Sequence, residues 1–288
     1  MVDAGNSFGG DAGHIAEARD RAKLLMRYYK EMNYRCVAVG NKDLGLSIDF
    51  LKIFGKRYGL KLISSNIYSG TKRLFDPYEI VKVNDVRIAF IGITDDSGNS
   101  YQKTVRYEIR NPRDELLKVV GEVEKISDVI VVLTDLDQTR FMQLLKGIPS
   151  VDIGILSGTG PTRTNPIKEG GTYVLSTLPK GKGVGFAEVA VAKDGSILRL
   201  HNTLYYLYAH FPADKGVQAD IEALKKKYQV LSSSPNPFLK ALEEAKKRKS
   251  MHLKERGENS TQRVVPSTPN PFIELLKKAT SPKEVPQK

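Results

Sequence analysis

The chain has 288 residues, 40% of them hydrophobic and 27% charged, with a formal net charge of +12. That length suits one large domain or two small ones with a packed core, and no apolar run approaches the roughly 18 residues of a membrane helix. The single cysteine, Cys36, excludes intramolecular disulfides and Cys-rich metal sites, and its place beside an apolar strand predicts a buried structural thiol.

The opening MVDAGNSFGG lacks the basic start and apolar block of a signal peptide. It reads as the end of a strand entering a loop at Asn6, so the chain is expected to begin inside a fold. From His14, the positions Ile15, Ala18, Ala22, Leu25, Tyr29 and Met32 step by three and four and predict one buried helical stripe. CVAVG follows as a short buried strand, SIDFLKIFGKRYG as a helix closed by Gly59, and LKLISSN as a second strand. YEIVKVNDVRIAFIGIT predicts two strands joined at Asn84-Asp85. DELLKVVGEVEKI is a helix, DVIVVLTDLD a continuous apolar strand, TRFMQLLKGI a short helix, and VDIGILSGTG a strand opening into a Gly-rich loop. GTYVLSTL, VGFAEVAVA and ILRLHNTLYYL complete the strands, the last two joined by a turn at Lys193-Asp194-Gly195.

Helices alternating with buried strands, then a run of antiparallel-type strands, define an α/β class with more than one sheet. In such folds polar residues at the carboxyl ends of strands converge on the site. The candidates are Asn6, Asn41-Lys42-Asp43, Thr134-Asp135 and Ser157-Gly158-Thr159-Gly160. PKGKGVG from Pro179 lacks the spacing of a phosphate loop and reads as a turn, whereas Thr159 and Arg163 in the TGPTRT segment are the better phosphate contacts.

PADKGVQADIEALKKKYQ reads as a helix leaving the domain. The organisation is thus a 1–210 domain, an exit helix over 211–230 and a basic, low-order tail over 231–288. Lysines and arginines exceed acidic residues by seven from Phe211 onward, more than half of the net charge. A basic tail is attracted to nucleic acid, anionic lipid or acidic protein, but no nucleic-acid reading module is present. The tail holds a near-repeat, SPNPFLKAL and TPNPFIELL. Each has Asn as a helix cap, Pro at the first helical position and an apolar stripe that could dock in a groove of a protein partner.

The segments DAGNSFGG, MNYRCVAVGNKDLG, LISSNIY, YEIVKVNDVRIAFIGIT, DVIVVLTDLDQ, VDIGILSGTG and GVGFAEVAV, in that order, resemble the N-terminal domain of the 5′-nucleotidase family, within the calcineurin-like metallophosphoesterases. The resemblance covers roughly residues 1–230. It implies an αββα sandwich of two mixed sheets and, in the family, an extracytoplasmic setting; localisation of this chain is left open. It also implies hydrolysis of phosphate esters by two divalent metals about 3.5–4 Å apart, held by carboxylates and imidazoles at strand ends.

Position by position, this sequence departs from that pattern. The family's Asp-x-His block would lie upstream of Met1. The bridging aspartate of its Asp-Ala-Gly-Asp block is Asn6, and in its Gly-Asn-His block Asn41 remains while Lys42 replaces the histidine. A further histidine position holds Asp135, and the Gly-His-x-His block has become Gly158 and Gly160. The four histidines present, His14, His201, His210 and His252, match none of these positions. Lys42 either sits among the vacated metal positions, offsetting Asp43 and Asp135 and attracting phosphate, or is an exposed loop lysine.

The expectation is therefore a catalytically inactive phosphoesterase-like domain with a binding or assembly role and no cofactor. Weak Mg²⁺ or Mn²⁺ binding at Asn6, Asn41 and Asp135 stays open. The alternatives are a metal-dependent hydrolase with an altered site at those same residues, and an interaction protein acting through its PNPF tail.

Overall fold

The computed structural model describes residues 1–9, 15–97, 107–157, 165–207 and 212–233. The chain divides into two compact units, Met1–Gln229 and Val230–Lys288. The first carries every element below, except that its last helix ends at Ser233. The PNPF repeats lie outside the described residues.

Strands β1 (Val2–Asp3), β2 (Cys36–Ala38) and β3 (Leu62–Ile63) form a parallel sheet in that order, with helices α1 (Ile15–Glu31) and α2 (Ile48–Tyr58) in the connections. A small antiparallel group of β4 (Ile67–Ser69), β5 (Lys72–Arg73) and β8 (Glu108–Ile109) flanks the hairpin of β6 (Tyr78–Val83) and β7 (Val86–Ile93). Helix α3 (Pro112–Val123), β9 (Val129–Thr134), α4 (Gln138–Leu145), β10 (Ile153–Leu156), β11 (Ile167–Glu169) and β12 (Thr172–Ser176) follow. They complete a six-stranded mixed sheet in the order β11-β12-β10-β9-β7-β6. Strands β13 (Gly183–Val191) and β14 (Ile197–Tyr206) pair with each other as a two-stranded ribbon, and α5 (Lys215–Ser233) closes the series.

Four layers result from the two-residue period of the strands. Along β9, Val129, Val131 and Leu133 face the three-stranded sheet and pack with Ala4, Cys36, Ala38 and Ile63. The alternate residues Ile130 and Val132 face α3 and α4, packing with Leu116, Val119 and Phe141. On the far side Ala18, Ala22, Met26 and Leu51 cover the outer face of β2 at Val37 and the residue just after the strand, Val39. This is an αββα sandwich. It is mixed in one sheet only, because the described strands of the smaller sheet are all parallel.

Local chemistry sets the boundaries. Asn84 takes the left-handed conformation, φ 53°, that a two-residue turn between Val83 and Val86 requires. Gly59 caps α2 with φ 61°, and the Asn111 side chain caps α3 by accepting from the Arg113 and Asp114 amides. Cys36 is fully buried, and burial pushes its thiol up to about 12. In α1 the stripe rotates: Met26 is buried whereas Ile15 and Met32 are exposed. A strict three-four spacing drifts around a 3.6-residue helix, and both end positions reach past the sheet they were expected to cover.

Candidate functional site

The register of the large sheet sets the rim. Ile93 pairs with Thr134, and Thr134 with Leu156, so β7, β9 and β10 end level. The residues after them, Asp95, Asp135 and Ser157, are neighbours for that reason. The Ser157 amide donates to the Thr134 carbonyl at 2.9 Å, and its hydroxyl donates to Ala4 O at 3.2 Å, which brings the loop after β1 to the same rim.

That loop is fastened by Asp43. Asn41–Leu46 is a single 3₁₀ stretch after β2, and it turns the Asp43 side chain inward to complete burial. One carboxylate oxygen accepts the amides of Asn6 and Gly40, both at 2.9 Å; the other accepts those of Phe8 at 2.8 Å and Gly9 at 2.9 Å. Burial pushes this carboxyl up to about 7, while the amides of Gly40, Phe8 and Gly9 pull the other way. Asn6 itself has φ 62°, and its side-chain oxygen accepts the Lys42 amide at 2.9 Å. The Lys42 side chain is exposed.

Asn41 and Asp135 meet across the two sheets. Asp135 accepts the Asn41 amide at 2.6 Å on one oxygen and the Asp95 amide at 2.7 Å on the other, and the Asn41 side-chain amide donates to Asp95 O at 2.9 Å. Asp95 and Asp96 both pair with the guanidinium of Arg140 on α4. Beneath this layer Asn66 donates to Thr94 O at 2.7 Å and accepts its amide at 2.9 Å, and the Thr94 hydroxyl donates to Val39 O at 2.6 Å. The buried polar groups that join the two sheets here are hydrogen-bonded.

Asn6, Asn41, Lys42, Asp43 and Asp135 are therefore brought together, whereas Gly158, Thr159, Gly160 and Arg163 lie outside the described residues. So do His14, His210 and His252; His201 sits on β14, exposed. Among the described residues no group of three or more His, Cys, Asp or Glu side chains converges as a metal ligand set would. Sequence reasoning missed Asp95, Asp96 and Arg140. The pair Asp95-Asp96 directly follows a buried strand and was open to the rule that identified Asp135; Arg140 has no such signal, because only packing of α4 delivers it.

Burial pushes the Asp135 carboxyl up to about 6, against the pull of the Asn41 and Asp95 amides. A raised value means the folded state holds the proton more tightly than the unfolded chain, whose ordinary value is 3.8. The contribution is thus fully present below pH 3.8 and is lost as pH climbs to about 6. Urea unfolding of Asp135→Asn against wild type should show a flatter pH slope in that window, by about 2–3 kcal/mol in total. Identical slopes would refute it.

The layers and the strand-end rim define an αββα sandwich with a polar site at the carboxyl ends of its strands. Comparison with known proteins narrows this. The chain is 24% identical over 195 residues to the 5′-nucleotidase of Vibrio cholerae, which covers 55% of this chain and 35% of that protein. It is 33% identical over 194 residues to protein UshA of Yersinia enterocolitica, 54% of this chain and 35% of the relative. The crystal structure of a 5′-nucleotidase precursor from Thermus thermophilus superposes with a TM-score of 0.68 at 23% identity, covering 81% of this chain and 50% of the other. No protein-family model matches. The chain is a distant homologue of the N-terminal domain of 5′-nucleotidases and calcineurin-like phosphoesterases, over about 55–80% of its length. It spans about a third of the length of the curated relatives it matches.

Proposed function

We propose that this domain is a phosphoesterase scaffold that no longer hydrolyses phosphate esters and instead serves binding or assembly, with a protein partner engaged through the domain or through residues 231–288. One observation carries the reading: the carboxylates of the rim are already committed inside the protein. Asp43 is saturated by four backbone amides, Asp135 holds two, and Asp95 and Asp96 share Arg140. Two divalent ions need several anionic or imidazole donors free to point at one place. The donor set here does not fit them. Asn6 and Asn41 are neutral amides, and the Asn6 oxygen, the atom that would face a metal, already accepts the Lys42 amide. Lys42, whose side chain is exposed, replaces the histidine that the resemblance implies would assist the leaving group.

The reading is tested on the purified full chain, supplied with Mn²⁺ or Zn²⁺, by metal analysis and by turnover of nucleotides and p-nitrophenyl phosphate. The expected outcome is well under one metal per chain after desalting and no hydrolysis above the blank. Two retained metals with turnover would overturn it. A second reading, an altered-site hydrolase, draws on the convergence of Asn41 with Asp135 at 2.6 Å; it requires a hydrolysis that Asp135→Ala abolishes.

A further inference from the structure

Helix α5 lies on the domain without any buried side chain among its described residues; Val217, Asp220, Leu224 and Tyr228, one stripe at helical spacing, are only half-buried. A helix of that length normally docks through an apolar stripe. Two polar clusters stand in its place. Asp20 of α1 accepts Lys227 at 2.6 Å and Tyr228 at 2.9 Å from α5, together with Lys23 of its own helix at 2.9 Å. Asp220 of α5 accepts the Arg27 guanidinium and, at 2.5 Å, the Tyr28 hydroxyl from α1.

The two clusters are the same device used twice. Each helix carries an aspartate followed seven residues later by a cation and then a tyrosine: DRAKLLMRY over 20–28 and DIEALKKKY over 220–228. Seven residues is nearly two helical turns, so the aspartate and the cation–tyrosine pair share one face. Set antiparallel, the aspartate of each helix meets the cation and tyrosine of the other. Between the clusters lies an open cleft of about 330 Å³ lined by residues that include Leu24, Tyr58, Ala223 and Leu224. The ionic groups are the struts, and no packed apolar seam backs them.

We propose that α5 is held by an ionic latch and exchanges between a docked and a released position as ionic strength changes. The side chains of Asp20 and Asp220 are 22% and 41% exposed, and those of Lys227 and Arg27 57% and 42%. Exposed pairs of this kind shift an equilibrium by at most about fivefold each, so two clusters make a tie that salt can undo. The screening length falls from about 10 Å at ~0.1 M to about 3 Å at ~1 M. Release bares the α1 face around Lys23, Leu24 and Arg27, and the latch regulates access to it.

Spin labels on Arg21→Cys of α1 and Glu222→Cys of α5, both exposed positions outside the clusters, report the separation in the full chain, and buried Cys36 does not compete for label. One narrow distance is expected at low salt, and a second, longer and broader population at ~1 M salt. Adding Asp20→Asn and Asp220→Asn should produce that second population already at low salt. A distribution indifferent to salt overturns the latch, and so does a folded double variant that keeps the narrow distance. Should the double variant not fold, the salt series on the labelled protein decides alone.

Discussion

Replacing Asp43 by alanine should lower the unfolding free energy by about 3–5 kcal/mol, the largest effect of any substitution at the rim. The side chain is fully buried and fills the acceptor need of four amides, those of Asn6, Phe8, Gly9 and Gly40. Three of them belong to the loop after β1, and the fourth precedes the 3₁₀ stretch. Alanine removes every acceptor at once and leaves buried N–H groups unpaired. A buried donor without a partner costs about 1–3 kcal/mol, though relaxation and water entry keep four such costs from adding in full. Asp43→Asn separates charge from geometry. One side-chain oxygen is kept, so two amides are still served, but its NH₂ group now faces the other two as donor against donor. It should cost about 2–4 kcal/mol. Urea unfolding measures both, and hydrogen exchange at residues 6–9 should accelerate in step. Asp43→Ala within about 1 kcal/mol of wild type would show that the loop is held by something else.

Gly40→Ala should cost about 2–4 kcal/mol by a different route. The φ of Gly40 is −87°, open to any residue, so conformational freedom is not the reason for glycine there. Space is. A methyl group would lie 2.3 Å from the Asn6 side-chain oxygen and 2.5 Å from its backbone nitrogen. The Asn6 amide is pinned to Asp43, and its side chain to the Lys42 amide, so neither can withdraw cheaply. On the opposite side of the contact is Gly5, with φ 100° and an added carbon 2.9 Å from the Gly40 nitrogen. The two loops touch backbone to backbone through this pair of glycines. Differential scanning calorimetry should show a lower midpoint for Gly40→Ala, and the added variant Asn6→Gly should recover part of the loss by removing the side-chain oxygen that is struck. A midpoint equal to that of wild type would mean that the close approach is absent in solution.

Both predictions concern the DAGN and GNKD segments, and the rim is informative because its polar residues are explained by the fold. Asp43 has a neighbour in sequence, Lys42, that is exposed, yet the two were candidates on equal terms before the structure separated them. Asp135 stands at the predicted strand end, and its partners are amides. The homology gives the scaffold and the phosphoesterase ancestry. The further step, loss of hydrolysis, rests on donor chemistry and is tested by the metal and turnover measurements described above.

Much was legible in advance where the physics is local. The continuous apolar run Val129–Thr134, the Asn84-Asp85 turn and the closing of α2 by Gly59 are set by residues within a few positions of one another, and the observed elements follow them. The short strands β4, β5, β8 and β11 were not legible. Two or three residues carry no period, and their pairing depends on a neighbour already in place.

What the sequence determined by itself is the order of helices and buried strands, the polar residues that follow those strands, and the absence of histidine at the matching positions. Only tertiary structure decided which donors each of those residues faces. The Asn41–Asp135 contact joins residues 94 positions apart, the Asn6–Asp43 contact 37, and Arg27–Asp220 193. Periodicity is a property of neighbouring residues along one chain segment. A hydrogen-bond partner is chosen by sheet register and helix packing, which exist only once the whole core has formed.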